Sequence, residues 1–177
     1  LFRSKEAIYM ITNVFIGIAE KGPDYRFENF DDMIIASNFA GVAFGNAGVG
    51  AVHACSYPLG GNYHVPHGES NYQFLTEVFK LYFRKNPNGA IKDLNLILID
   101  ALRLGKESME NQVLIYDKID ELLNRLTKKN KLSFYGMKPE EIDGFTDSVL
   151  ATQQRLLANN YVPLSREEIR SIYQNLY

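Results

Sequence analysis

The stretch Gly48–Gly68, GVGAVHACSYPLGGNYHVPHG, is where the reading of this chain turns, and it holds all three of the chain's histidines. His53 and His67 stand fourteen positions apart (67 − 53), on either side of Gly60-Gly61, with His64 beside the second. Locally, Val49 to Leu59 reads as a helix that carries His53 and Tyr57 four apart, on one face. Pro58 disturbs its last turn and Gly60-Gly61 ends it; Asn62 to Pro66 turns the chain, and His67-Gly68 opens the next helix. A histidine midway along one helix and another at the start of the next can converge across such a corner.

Neutral imidazole donates a lone pair to divalent cations more often than any other side chain. Two imidazoles at this spacing are nevertheless a weaker signal than H-E-x-x-H or paired C-x-x-C. Satisfied core or helix-capping histidines explain the pattern equally well. A metal would also need further ligands, and the neighbours are poor ones. Glu69 follows His67 too closely to turn inward, and Asp31 and Asp32 read as first-turn acids of a helix.

Outward from the corner, the pattern is helical throughout. Leu1 to Ala19 has apolar residues at Ile8, Ile11, Phe15 and Ile18, with Gly22-Pro23 as a stop. Asn29 is placed to cap a second helix, running through Met33, Ile34, Phe39 and Val42 to about Phe44. The small residues of GVAFGNAGVGAV suit close helix packing. Their glycine order is wrong for a dinucleotide fingerprint, and no strand precedes them.

Past the corner, His67 onward continues through Phe74, Val78, Phe79 and Tyr82 to the turn Asn86-Pro87-Asn88-Gly89. Ile91, Leu94, Leu98 and Leu102 form the next stripe, ending near Gly105; Val113 to Leu126 forms another, with Ile119 and Leu123 on one face. Lys138-Pro139-Glu140-Glu141 starts a helix that buries Ile142, Phe145 and Val149. Ser165-Arg166-Glu167-Glu168 fits a capping box before Ile169, Ile172 and Leu176. No alternating strand of useful length appears. The expected fold is all-α, a compact bundle of seven or more helices.

With 177 residues, 46% hydrophobic and 23% charged, the chain has the composition of one ordinary globular domain. A formal charge of −2 argues against nucleic acid or an anionic membrane as partner. The one basic cluster, Lys128, Lys129 and Lys131, reads as a solvated helix end. Cys55 is the only cysteine, which excludes an internal disulfide and points to a reducing, cytoplasmic setting. No apolar run approaches the roughly 18 residues of a membrane span. The opening at Leu1, without methionine and directly in a helical pattern, suggests part of a longer polypeptide.

The run GVGAVHACSYPLGGNYHVPHGE resembles the second signature of the iron-dependent (group III) alcohol dehydrogenases. The likeness extends from LFRSKEAIYMI to NNYVPLSREEIRSIYQNLY. It implies that residues 1–177 are the helical, metal-binding carboxy-terminal domain of the two-domain fold shared with dehydroquinate synthase. The amino-terminal nucleotide-binding domain, with an aspartate and a histidine as further ligands, would precede Leu1. His53 and His67 would be two of four ligands to Fe(II), with Zn(II) as the alternative, and NAD would be held mostly by the absent domain, at residues this chain does not reveal. The implied reaction interconverts a primary alcohol and its aldehyde, 4-hydroxybutyrate and succinate semialdehyde by closest likeness, in a homo-oligomer.

Where many members have a further histidine implicated in proton relay, this sequence has Tyr57. A phenol with a pKa near 10 is a poor base at neutral pH, so the position is expected to hydrogen-bond or orient substrate. Asn62, Tyr63 and His64 are the polar candidates for the substrate carboxylate. Two rival readings are a lyase of the dehydroquinate synthase type, for which no basic phosphate cradle is seen, and a non-catalytic helical interaction domain.

Overall fold

The computed structural model describes residues 2–177. Among them it contains eleven α-helices, one 3-10 turn and no strand. In chain order the helices are α1 (Phe2–Lys21), α2 (Tyr25–Glu28), α3 (Phe30–Ala47), α4 (Ala51–Tyr63), α5 (His67–Lys85), α6 (Ala90–Ala101), α7 (Lys106–Glu110), α8 (Leu114–Leu126), α9 (Glu141–Thr152), α10 (Gln154–Ala158) and α11 (Arg166–Leu176). The 3-10 turn is Leu132–Tyr135. The all-α expectation therefore holds. The helices fall into two compact units: one up to Ala47 with Pro87–Lys128, the other Gly48–Asn86 with Lys129–Tyr177.

In the first unit α1 lies along α3 and also meets α6 and α8. Helix α1 forms as the pattern requires, but its innermost face is made of small residues. Ala7 and Val14 are buried, whereas Ile8, Ile11, Phe15 and Ile18 are only half-buried. The small face permits close approach: a Cβ on Gly17 would fall 2.0 Å from the Tyr25 ring. Tyr25 belongs to α2, a short helix just past the Gly22-Pro23 stop. Asn29 does precede α3, yet its side-chain amide donates back to the Tyr25 carbonyl at 2.9 Å instead of capping the new helix.

Helix α6 is turned by one residue from the expected stripe, burying Ile91, Asn95 and Ile99. The polar Asn95 is tolerated there because both ends of its amide are matched. Its Oδ1 accepts from the Tyr116 hydroxyl at 2.7 Å, and its Nδ2 donates to Gln112 Oε1 at 3.1 Å.

The second unit packs α4 against α5, α9 and α10, and α11 against α5 and α9. Its centre is aromatic, with Tyr173 edge-on to both Phe74 and Phe145 at ring-centre distances of 5.4 and 6.0 Å. The glycines of α3 do not sit at close helix contacts: Gly45 has nothing near its missing Cβ and Gly41 only Phe44 at 3.9 Å. The crowded positions come later. Gly48 has φ +78°, and a Cβ there would lie 2.6 Å from Asn159 Nδ2. One at Gly50 would lie 2.7 Å from Asn160 Oδ1, which accepts from the Ala51 N–H at 3.0 Å and so caps α4 from a distance in sequence.

Lys129, expected to be solvated, instead donates to Thr76 Oγ1 at 2.6 Å and lies over the Tyr72 ring. The capping box at the start of α11 is present in full: Ser165 Oγ accepts from the Glu168 N–H, and the Glu168 carboxylate accepts from the Ser165 N–H at 2.7 Å. Replacing Ser165 with alanine should cost about 1 kcal/mol, read as a lower denaturant midpoint with unchanged m-value.

Candidate metal centre

Helix α4 runs further than its sequence suggests. It continues through Pro58 and past Gly60-Gly61 to Tyr63, and ends at His64, which adopts the left-handed conformation (φ 55°, ψ 29°). The glycines fail to stop it because tertiary packing holds the last turn. Pro58 and Leu59 are buried, Gly60 lies against the Val65 carbonyl, and Tyr63 donates to Glu141 Oε2 at 2.5 Å. Pro66 then occupies the cap position of α5, so the corner is only three residues long, 64–66.

This corner brings His53 and His67 together, with ring centres 5.2 Å apart and planes tilted by 51°. Tyr57 joins them, 6.4 Å from the His53 ring and 6.3 Å from the His67 ring. His53 is half-buried and His67 exposed. Burial, and then the nearby His67, lower the His53 pKa below the ordinary imidazole value, which favours the neutral ring a cation requires.

A cavity of about 310 Å³ opens beside His67 and Tyr57, lined also by Ser56, Gly60, Gly61, Val65 and Ser70. Asn62 and His64 are not among its lining residues. Asn62 Nδ2 donates back to the Pro58 carbonyl at 2.8 Å, and His64 is exposed on the corner itself. The Glu69 carboxylate accepts from the Tyr135 hydroxyl at 2.8 Å. Cys55 is fully buried, which pushes its thiol pKa up to about 12 and leaves it no nucleophilic role.

Two residues that sequence reasoning did not single out join the histidines. Ser56 Oγ lies 3.0 Å from the His53 carbonyl and 2.6 Å from Asn71 Oδ1, while Asn71 Nδ2 is 3.0 Å from His67 Nε2. The position of Asn71, four residues after His67 on one helix, was the available signal.

The donor types suit a divalent ion: two imidazole rings come together, and burial of His53 favours its neutral form. It is a partial set: among the described residues no three His, Cys, Asp or Glu side chains group as a metal site. No single helix among them is long and apolar enough to cross a membrane.

The fold has counterparts among solved structures. The chain superposes on an alcohol dehydrogenase from Oenococcus oeni with a TM-score of 0.82 at 22% identity, covering 98% of this chain and 44% of that one. A crystal structure of 1,3-propanediol oxidoreductase matches with a TM-score of 0.78 at 24% identity, over 98% of this chain and 44% of that one. At such identities the likeness is one of fold.

The sequence then fixes the family: residues 3–177 match the model of the Fe-containing alcohol dehydrogenase family, C-terminal, and the chain belongs to that family. It is 54% identical over 174 residues to 4-hydroxybutyrate dehydrogenase of Clostridium kluyveri, covering 98% of this chain and 45% of that protein. It is 35% identical over 147 residues to long-chain-alcohol dehydrogenase 1 of Geobacillus thermodenitrificans, covering 81% of this chain and 35% of that protein. The chain thus spans less than half the length of these relatives.

Proposed function

We propose that this chain is the metal-binding half of an NAD-linked oxidoreductase that interconverts 4-hydroxybutyrate and succinate semialdehyde. The observation that carries the reading is the pair of imidazoles at His53 and His67, which meet 5.2 Å apart across the α4–α5 corner. They would hold Fe(II), or Zn(II) as the alternative, together with ligands supplied by the rest of the polypeptide. When bound, the ion would supply Lewis acidity toward the alcohol oxygen and favour loss of its proton. NAD would be positioned mainly by an amino-terminal domain of the kind the longer relatives have room for.

The chain's own residues shape the reacting space. The cavity beside His67 is of a size for a four-carbon substrate, and Gly60 and Gly61 add no side chains to its lining. Tyr57 is 39% exposed at its edge, where its hydroxyl can hydrogen-bond a substrate oxygen. An orienting role suits a phenol better than proton abstraction at neutral pH. Asn62 and His64 stand on the corner outside this lining, so they would meet only a substrate that extends beyond it. A homo-oligomer in a reducing, cytoplasmic setting completes the proposal.

The choice of a hydroxy acid rests on the 54% identity, and substrate comparison tests it. In the complete enzyme, kcat/KM for 4-hydroxybutyrate should exceed that for 1-butanol at least about tenfold, as expected when a carboxylate gains a charged hydrogen bond worth roughly 1.5–3 kcal/mol. Equal efficiency on the two alcohols would remove carboxylate recognition from the proposal.

A further inference from the structure

We infer that Asn160 is a positioning residue for His53: its side-chain oxygen supplies the cap that the start of α4 lacks and ties that start to α5, the helix that carries His67. The inference deepens the reading of His53 as a metal donor and rests on it.

The first turn of a helix is its weakest, because its leading N–H groups have no partner within the helix. His53 lies in that turn. The first bond along α4 runs from the Ala54 N–H to the Gly50 carbonyl at 3.1 Å, so the amides of Ala51, Val52 and His53 precede the ladder. The cap position is held by Gly50, which has no side chain to accept from them. A serine or aspartate there would displace the Asn160 side chain, because its Cβ would lie 2.7 Å from Asn160 Oδ1.

The capping oxygen comes instead from 109 positions away in sequence: Asn160 Oδ1 accepts from the Ala51 N–H at 3.0 Å and also from the Tyr82 hydroxyl. Its Nδ2 donates to the Val162 carbonyl at 2.8 Å. A backbone N–H at one end and a backbone carbonyl at the other allow one orientation of this carboxamide. Reversed, it would set donor against donor and acceptor against acceptor.

Neighbouring residues hold the clamp in place. Asn159 Nδ2 donates to the Val49 carbonyl at 3.3 Å, and Tyr161 packs edge-on against Tyr82 while its hydroxyl donates to the Asn86 carbonyl at 3.0 Å. Ala51 belongs to α4 and Tyr82 to α5, so one oxygen bonds groups of both histidine-bearing helices. A cap from within α4 would only hold the turn together; this one also fixes where the turn sits.

Amide hydrogen exchange in the metal-free complete enzyme reads the turn directly. Asn160→Ala should speed exchange at Ala51 and Ala54 about fivefold, as loss of a helix cap implies. Co(II) binding should weaken by a similar factor, because the cation then meets a turn that is ordered only part of the time. Asn160→Asp keeps the accepting oxygen and places a negative charge at a helix N-terminus, so both readings should stay within about twofold of native. Ser165→Ala is the matched control: it removes a cap from α11, and should lower the unfolding midpoint as Asn160→Ala does while leaving Co(II) affinity and exchange in α4 unchanged. A merely structural role for Asn160 would move the midpoint alone.

Unchanged exchange at Ala51 in Asn160→Ala, native Co(II) affinity in that variant, or an equal loss of affinity in Ser165→Ala would each overturn the inference. So would an Asn160→Asp variant that behaved as the alanine variant does. His53→Ala separates the two levels. If that variant bound Co(II) as the native enzyme does, the donor reading would fail while the exchange result stood.

Discussion

His53→Ala and His67→Ala, each made in the complete enzyme, are expected to abolish both metal retention and turnover. The size of the effect follows from the arrangement at the corner. The two imidazoles stand at a ring separation of 5.2 Å, and among the described residues no group of three or more His, Cys, Asp or Glu side chains forms a metal site. Removing either takes a direct ligand from the ion and leaves this chain contributing one imidazole beside the ligands the rest of the polypeptide would supply. The loss should therefore exceed the roughly 10–100-fold that removing an outer partner costs. Metal analysis after dialysis, alongside NADH formation with a small panel of alcohols, measures both quantities. A variant that kept stoichiometric metal and near-native rates would show that the ligands lie elsewhere. His64→Ala is the matched control, since His64 occupies the helix terminus outside the cavity lining and should retain metal.

The second large effect concerns stability. Tyr173→Ala should destabilise the second unit by roughly 3–5 kcal/mol, the range for emptying a buried aromatic site. Tyr173 is fully buried, lies edge-on to Phe74 and Phe145, and donates its hydroxyl to the Cys55 carbonyl at 2.6 Å. Burial accordingly raises its pKa well above that of a free phenol. Tyr173→Phe keeps the ring and loses only the hydrogen bond, so it should cost about 1 kcal/mol. Urea unfolding of the pair separates packing from hydrogen bonding, and equal costs for the two variants would contradict this division. Because that bond reaches the middle of α4, two residues from His53, the alanine variant should also loosen the histidine corner, seen as weaker Co(II) binding.

Proline and two glycines read as the end of a helix, since each carries a helix penalty. The helix nevertheless continues to Tyr63, because Pro58 and Leu59 are buried and Tyr63 is anchored to Glu141 on α9. The same limit appears in α1, where apolar periodicity pointed to Ile8, Ile11, Phe15 and Ile18. The inner face is instead Ala7, Val14 and Gly17, because small side chains let neighbouring backbone and rings come closer. In α6 the polar Asn95 replaces a leucine at the centre, which only the Tyr116 and Gln112 contacts make tolerable.

The sequence by itself determined the all-helical class, the capping box at Ser165 and the buried face of α9, and it allowed His53 and His67 to meet around one bend. These depend on residues near each other along the chain, so periodicity and turn chemistry suffice to read them. Tertiary structure alone decided where α4 stops, that Asn62 and His64 fall outside the cavity, and that Ser56 and Asn71 bridge the two histidines. It also brought the Tyr135 hydroxyl within hydrogen-bonding reach of Glu69. Each of these depends on the partners a side chain meets across helices, and propensity and spacing do not encode the rotation of one packed helix against another.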